Sequence, residues 1–139
     1  MSACRILVVD DNDDIASTLA TILEFEGHAV RTARSGWDAI CVAEYFQPDL
    51  AILDIGMPTM DGYELAQRLR NLGHDPRPVL IAVTGWGGEA NRQRAVGAGF
   101  DHHLVKPVDP SELLDVIGKI AVNKPLRQRD ALTSVCQAC

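Results

Sequence analysis

Short β-branched runs alternate with longer helical patterns along most of this chain, and this alternation constrains the fold more than any other feature. Apolar runs at 5–9, 49–53, 78–83 and 102–105 predict strands, and 28–33 predicts a weaker one. Apolar residues between these runs recur at helical spacing. Strands that alternate with helices form parallel sheets, and right-handed crossovers place the helices on both faces. We therefore predict an α/β fold with a doubly wound, five-stranded parallel sheet.

The predicted helices have recognisable starts and ends. One apolar stripe ends just before Gly27, and another fills residues 113–120. Asp61 and Asp109 stand where helix N-caps are expected, and each has a glutamate three residues later, as in a capping box. Three more helices are expected at 35–46, 61–72 and 88–97.

Length and composition are those of one globular domain. The 139 residues are 47% hydrophobic and 23% charged, which is enough to bury a core. We predict a domain at 4–121 and a poorly ordered C-terminal tail at 122–139. The net charge of −6 argues against a nucleic-acid partner, since phosphate contacts need clustered cations. No apolar stretch approaches the ~20 residues of a membrane helix and no signal peptide precedes the first strand, so a cytoplasmic location without membrane attachment is expected.

The four cysteines are few and scattered, so a disulfide framework is not expected. The terminal CQAC has the spacing of a metal or redox motif but lacks a second ligand pair. We expect free thiols at all four positions: Cys4, Cys41, Cys136 and Cys139.

Polar side chains follow four of the five predicted strands. Asp10 and Asp11 follow the first strand, Asp54 the third, Thr84 the fourth and Lys106 the fifth. The carboxyl ends of parallel strands meet at one edge of the sheet, where ligands bind. Three carboxylates, a hydroxyl and an ammonium group are therefore expected to converge.

This set of groups suits phosphoryl transfer. Three nearby acids repel one another, and a divalent cation relieves that repulsion. Ligands that are all oxygen favour Mg²⁺ over zinc. Lys106 can neutralise an acid or an incoming anion, and Gly85 leaves room for a tetrahedral group beside Thr84. Asp54 would then be the nucleophile.

Each of these residues also has an ordinary structural interpretation. Asp11, like its acidic neighbours, could simply favour a helix N-terminus. Asp54 could cap a turn, Lys106 could be a solvated lysine, and Thr84 could be a β-branched strand residue. These side chains converge at the ends of four predicted strands, which favours the functional interpretation over these four structural ones.

Four short motifs resemble the signature sites of the response-regulator receiver domain of two-component phosphorelays. The motifs are VVDDN (8–12), LDIGMPTMDG (53–62), VTG (83–85) and VKP (105–107). The resemblance covers roughly residues 4–121 and implies a flavodoxin-like fold with strand order 2-1-3-4-5. It also implies that Asp54 accepts phosphate from a phosphohistidine of a histidine kinase or histidine phosphotransfer protein.

The resemblance assigns further roles residue by residue. The implied ligands of Mg²⁺, which Mn²⁺ could replace, are Asp10, Asp11, Asp54 and the backbone carbonyl of Gly56. The implied contacts of the phosphoryl oxygens are Thr84 and Lys106. Gly85 and Pro107 would lie beside the path by which the phosphate approaches. A cis peptide bond is expected between Lys106 and Pro107.

One position departs from the family pattern. Receivers usually carry Tyr or Phe three residues before the lysine, but this chain has His103. Imidazole is smaller and can titrate. We expect Thr84 and His103 to form the switch. Phosphorylation should then shift a two-state equilibrium on the face formed by helix 88–97, the last strand and helix 111–120. With His103 in place of an aromatic residue, the coupling between phosphorylation and this face should be altered.

Three other functions fit the sequence less well. A haloacid-dehalogenase-like phosphatase needs an acid two residues after the nucleophile, where this chain has Gly56, so turnover of a separate substrate is not expected. A degenerate receiver that serves only as a docking module would have lost an acid or the lysine. A mononucleotide binder needs a glycine-rich loop after the first strand, and DDNDD would repel phosphate.

Two segments, TGWGGEANRQRAVGAGF (84–100) and LVKPVDPSEL (104–113), also resemble receivers attached to hybrid histidine kinases, and a free-standing receiver fits equally well. A monomer or weak dimer is expected.

Overall fold

The computed structural model describes residues 3–74, 77–85 and 89–123 of the 139-residue chain. Strands and helices alternate strictly along these residues. The strands are β1 (Arg5–Val9), β2 (Ala29–Ala33), β3 (Leu50–Asp54), β4 (Val79–Thr84) and β5 (His102–Val105). The helices are α1 (Asp13–Phe25), α2 (Gly36–Phe46), α3 (Gly62–Arg70), α4 (Glu89–Gly97) and α5 (Pro110–Asn123).

The five strands form one parallel sheet in the order β2-β1-β3-β4-β5. This confirms the predicted fold and strand order. The register aligns the carboxyl ends, because Val9 pairs with both Ala33 and Leu53, and Thr84 pairs with Val105. Any residue that ends or follows a strand therefore lies at the same edge of the sheet.

The central strands are buried on both faces, as their continuous apolarity predicts. Alternate side chains of each strand point to opposite faces. Leu7 and Leu53 pack with helices α2, α3 and α4, whereas Ile6 and Ile52 pack with α1 and α5. Each fully buried Leu or Ile contributes about 1.5–3 kcal/mol. The two cores together hold the sheet rigid beneath its carboxyl edge.

Polar side chains cap the N-termini of helices α1 and α3 near this edge. The Asn12 side chain accepts hydrogen bonds from Asp14 N (2.9 Å) and Ile15 N (3.2 Å), and so begins α1. Asp61 begins α3 by accepting from Glu64 N at 2.9 Å. In a capping box, the Glu64 side chain would also accept a hydrogen bond from the Asp61 N–H. The Glu64 carboxylate instead accepts two hydrogen bonds from Arg68.

Some predicted boundaries shift by one or two residues. Asp54 and Thr84 are the last residues of β3 and β4, not the residues that follow them, since backbone pairing continues past the apolar run. Helix α3 ends two residues early, and α5 extends two residues beyond the domain limit predicted at 121. Trp86, Cys136, Cys139 and the rest of 124–139 lie outside the described residues. Nowhere in the described part does a helix combine the length and apolarity needed to cross a membrane.

Candidate functional site

Three carboxylates meet at the carboxyl edge of the central strands. Asp10 follows β1 and Asp54 ends the adjacent β3; they are 4% and 6% exposed, whereas Asp11 is open to solvent. One oxygen from each of the three lies within 4.8 Å of the others. Backbone donors orient two of them: Asn12 N donates to Asp10 Oδ1 at 2.9 Å, and Gly56 N donates to Asp54 Oδ1 at 3.0 Å.

Lys106 is the cation in direct contact with this cluster. Its Nζ lies 3.1 Å from Asp54 Oδ2 and 3.6 Å from Asp10 Oδ2. The Lys106 backbone N–H donates to the Thr84 carbonyl at 2.8 Å, which holds the end of β5 beside β4. The peptide bond between Lys106 and Pro107 is cis, as expected. Both oxygens of Asp54 are thus held, one by a backbone amide and one by an ammonium group.

The electrostatics of the cluster favour added positive charge. Burial raises the pKa of Asp10, and the charges of Asp54 and Asp11 raise it further, although Asn12 N–H and Lys106 oppose the shift. Burial alone would lower the pKa of Lys106, but the hydrogen bond and charge of Asp54, with the charge of Asp10, give a net raised pKa. The Lys106 ammonium therefore pairs with two of the three carboxylates, Asp54 and Asp10. An all-oxygen cluster of this charge fits a hard divalent cation.

A cavity of about 690 Å³ opens in front of the cluster. It brings together seven of the residues predicted from the sequence: Asp10, Asp11, Asp54, Gly56, Thr84, Gly85 and Lys106. Pro107 lines an adjoining cavity of about 490 Å³ on the α1 side, which also reaches Asp54 and Lys106. His103 lines neither of these two cavities. Asp54 can therefore be reached from both cavities although its carboxylate is almost buried.

Three glycines near Asp54 differ in how tightly their surroundings are packed. A Cβ at Gly62, the first residue of α3, would lie 2.8 Å from Ile55 Cα and 3.0 Å from the Asp54 carbonyl oxygen, so only glycine lets α3 pack against this strand end. A Cβ at Gly56 would make an ordinary 3.8 Å contact with Asp54 Oδ1, and one at Gly85 would meet nothing within 4 Å. Crowding therefore requires glycine at Gly62, but at neither Gly56 nor Gly85.

His103 lies on β5, three residues before Lys106. It pairs with Ala82 in the sheet and shares with it the face that packs against α4, while Leu104 packs on the opposite face. The Nε2 atom of His103 is buried and has no hydrogen-bond partner among the described residues. This is the position where the sequence predicts the switch residue.

Five further residues line the cavity that the sequence did not assign to the site: Asn12, Ile15, Ile55, Tyr63 and Arg94. The sequence does indicate a structural role for Asn12, because an asparagine at the start of a helix is a typical N-cap. The Arg94 guanidinium lies 4.1 Å from the centroid of the Tyr63 ring. This pair depends on how α3 and α4 approach each other, and the local sequence carries no signal for that.

The fold and the site together define a class of α/β proteins with a flavodoxin-like parallel sheet and an acid cluster, a hydroxyl and a lysine at its carboxyl edge. A family model of the response regulator receiver domain matches residues 6–118. The chain belongs to the response regulator receiver domain family.

Relatives among curated proteins match most of this chain. The "Uncharacterized 14.6 kDa protein in sodA1 3'region" of Leptolyngbya boryana is 39% identical over 120 residues, which cover 86% of this chain and 92% of that protein. The response regulator MprA of Mycobacterium sp. (strain KMS) is 37% identical over 110 residues, covering 79% of this chain and 47% of that protein. The chain therefore spans less than half of this second relative.

Solved structures show the same fold. A CheY-like response regulator receiver domain protein from Methanospirillum hungatei JF-1 has a TM-score of 0.76 and 36% identity, over 85% of this chain and 93% of that one. The chemotaxis protein CheY4 of Vibrio cholerae has a TM-score of 0.80 and 27% identity, over 86% and 99% of the two chains.

Proposed function

We propose that this domain is the phosphoacceptor of a two-component phosphorelay and that Asp54 carries the phosphoryl group. The donor is a phosphohistidine on a histidine kinase or a histidine phosphotransfer protein. In the transfer, an Asp54 carboxylate oxygen forms the new O–P bond while the P–N bond to the donor imidazole breaks. The product is an aspartyl phosphate, a reactive anhydride suited to a reversible signal.

The observation that carries this proposal is the placement of Asp54. Its carboxylate ends a fully buried strand, is oriented by Gly56 N–H and Lys106, and faces the open cavity. A turn cap would need neither the lysine nor the neighbouring acids. Rigid orientation of the nucleophile is what phosphoryl transfer demands from a protein, because most of the catalysis is positioning and charge neutralisation.

The carboxylates of Asp10, Asp11 and Asp54 are the proposed ligands of Mg²⁺, with the Gly56 carbonyl as a fourth; Mn²⁺ can take the same oxygen ligands. The cation supplies charge neutralisation for the phosphoryl oxygens. Lys106 and Thr84 bind those oxygens from the protein side, and Gly85 leaves the approach open.

No separate substrate is expected to be turned over. The position two residues after Asp54 is Gly56, and no carboxylic acid stands there to protonate a leaving group. The domain instead promotes its own phosphorylation and dephosphorylation. Its role is to switch or relay a signal, as the response regulators and transcriptional regulators among its relatives suggest.

The proposal is tested by incubating the full chain with Mg²⁺ and acetyl phosphate and following intact mass. We expect one phosphoryl group on the wild type, none on Asp54→Asn, and none without a divalent cation. Asp61→Asn is the matched control, because Asp61 is an exposed helix cap in the same segment and should leave incorporation unchanged. Equal incorporation in the wild type and Asp54→Asn would contradict the assignment, and no incorporation in either would favour a docking module.

A further inference from the structure

Arg94 gives the phosphoacceptor cavity a second cation. It lies on α4 and lines the same 690 Å³ cavity as Asp54, Thr84 and Lys106. Its neighbour Ala95 is buried in the core, which fixes this part of the helix, while Arg94 itself is exposed. The four sequence motifs do not include it.

Aromatic packing holds the Arg94 side chain in place. Its guanidinium lies over the Tyr63 ring, 4.1 Å from the centroid, and Tyr63 meets the buried Phe100 edge-on at 6.2 Å. Tyr63 follows Gly62, whose close packing ties α3 to the strand end that bears Asp54. A guanidinium stacked on a ring face keeps its N–H groups directed outward in its own plane, where they can donate to an anion.

The charges of the site show why a second cation matters. Lys106 is already engaged by Asp54 and Asp10, while a phosphodonor brings negative charge toward three carboxylates. We propose that Arg94 recruits the anionic phosphodonor by donating hydrogen bonds to its phosphoryl oxygens as it enters the cavity. This inference rests on the proposed function, since it assigns a donor-recognising residue to the same site.

The first test compares Arg94→Gln with Arg92→Gln, an arginine that is exposed on the same helix but does not line the cavity. The rate of phosphorylation is measured against acetyl phosphate concentration at saturating Mg²⁺ and at several ionic strengths. For Arg94→Gln we expect the half-saturating concentration to rise on the order of three- to tenfold at low salt, with little change in the limiting rate. The difference should shrink as salt screens the charge.

Two variants separate recruitment from a structural role. Arg94→Lys keeps the charge without the planar stack and should restore part of the lost recruitment. Arg92→Gln should match the wild type at every salt concentration. The proposal is overturned if Arg94→Gln matches Arg92→Gln at low salt, or if its defect falls on the limiting rate and does not depend on salt.

A second measurement does not require Asp54 to be phosphorylated. Inorganic phosphate is titrated into Asp54→Asn in the presence of Mg²⁺ while the Arg94 Nε–H resonance is followed by NMR. We expect a saturable shift of that resonance, and its absence would overturn the inference. If phosphate shifts the resonance but the wild type takes up no phosphoryl group, the anion contact stands while the proposed acceptor role of Asp54 fails.

Discussion

At the residue scale, Asp10 is a carboxylate that the fold buries beside two others. Burial and the charges of Asp54 and Asp11 raise its pKa, so its ionised form is disfavoured in the folded protein without a cation. Asp10→Asn should therefore stabilise the protein at neutral pH without Mg²⁺, by on the order of 1 kcal/mol after relaxation offsets most of the charge penalty. The same change should remove the stabilisation that Mg²⁺ gives the wild type.

Urea unfolding with and without Mg²⁺ measures both effects. Asp13→Asn is the matched control, because Asp13 lies in the same acidic run but forms an exposed pair with Arg34 at 2.9 Å. Such a surface pair contributes about 0–1 kcal/mol, and its loss should leave the response to Mg²⁺ intact. A destabilised Asp10→Asn protein that still responds fully to Mg²⁺ would show that Asp10 is a structural residue and not a cation ligand.

At the scale of elements, His28 joins the amino ends of β1 and β2. It is buried just before β2, and its Nδ1 accepts a hydrogen bond from Cys4 N at 3.0 Å. Burial lowers its pKa below the ordinary 6.5, against the opposing charge of Glu26. The unfolded chain therefore takes up a proton at higher pH than the folded one, so stability is full above pH 6.5 and falls as the pH drops toward the lowered pKa.

The expected slope from this one histidine is at most about 1.4 kcal/mol per pH unit. His28→Asn places an acceptor near the position of Nδ1 without a titrating group, and should flatten the pH dependence of the unfolding free energy below pH 6.5. His28→Ala removes the acceptor of Cys4 N–H and should lose about 1–3 kcal/mol above pH 6.5. This difference should narrow at lower pH, because only the wild type loses stability through protonation of His28. An unchanged acid slope in His28→Asn would assign the pH dependence to other groups.

The elements also show what the sequence could predict. Strands β1, β3 and β4 and helices α1 and α5 follow from apolar periodicity, because burial imposes it directly. Asp54 and Lys106 could be placed together because parallel strands share one edge. The stack of Arg94 on Tyr63 could not be foreseen, since it depends on the relative position of α3 and α4. The predicted contact of the Glu64 side chain with the Asp61 N–H was wrong, because Arg68, four residues along the helix, binds Glu64 instead.

At the scale of the whole molecule, the proposed phosphate site lies at one edge of the parallel sheet, and β5 links it to the face made by α4, β5 and α5. Lys106 follows β5 directly, and His103 lies on the same strand against α4, with its buried Nε2 lacking a partner within the described range. Beryllofluoride with Mg²⁺ should therefore shift amide resonances of α4, β5 and α5 beyond the cavity.

Two variants refine this test. Lys106→Ala should still permit some loading of Asp54 but blunt the response along β5, because the link from the phosphoryl group to the strand is lost. His103→Tyr should leave loading unchanged while altering the shifts in α4 and β5. Shifts confined to residues that line the cavity would show that this face does not respond, and an unaltered response in Lys106→Ala would count against that link.

Chemical mapping of the modified residue can show whether Asp54 becomes an aspartyl phosphate. Hydride reduction with borohydride converts an aspartyl phosphate to homoserine, which marks its position permanently. After treatment with acetyl phosphate and Mg²⁺, peptide mass spectrometry should find homoserine at position 54 and unmodified aspartate at Asp10, Asp11 and Asp61. Homoserine at any of those three acids, with position 54 unchanged, would contradict the account.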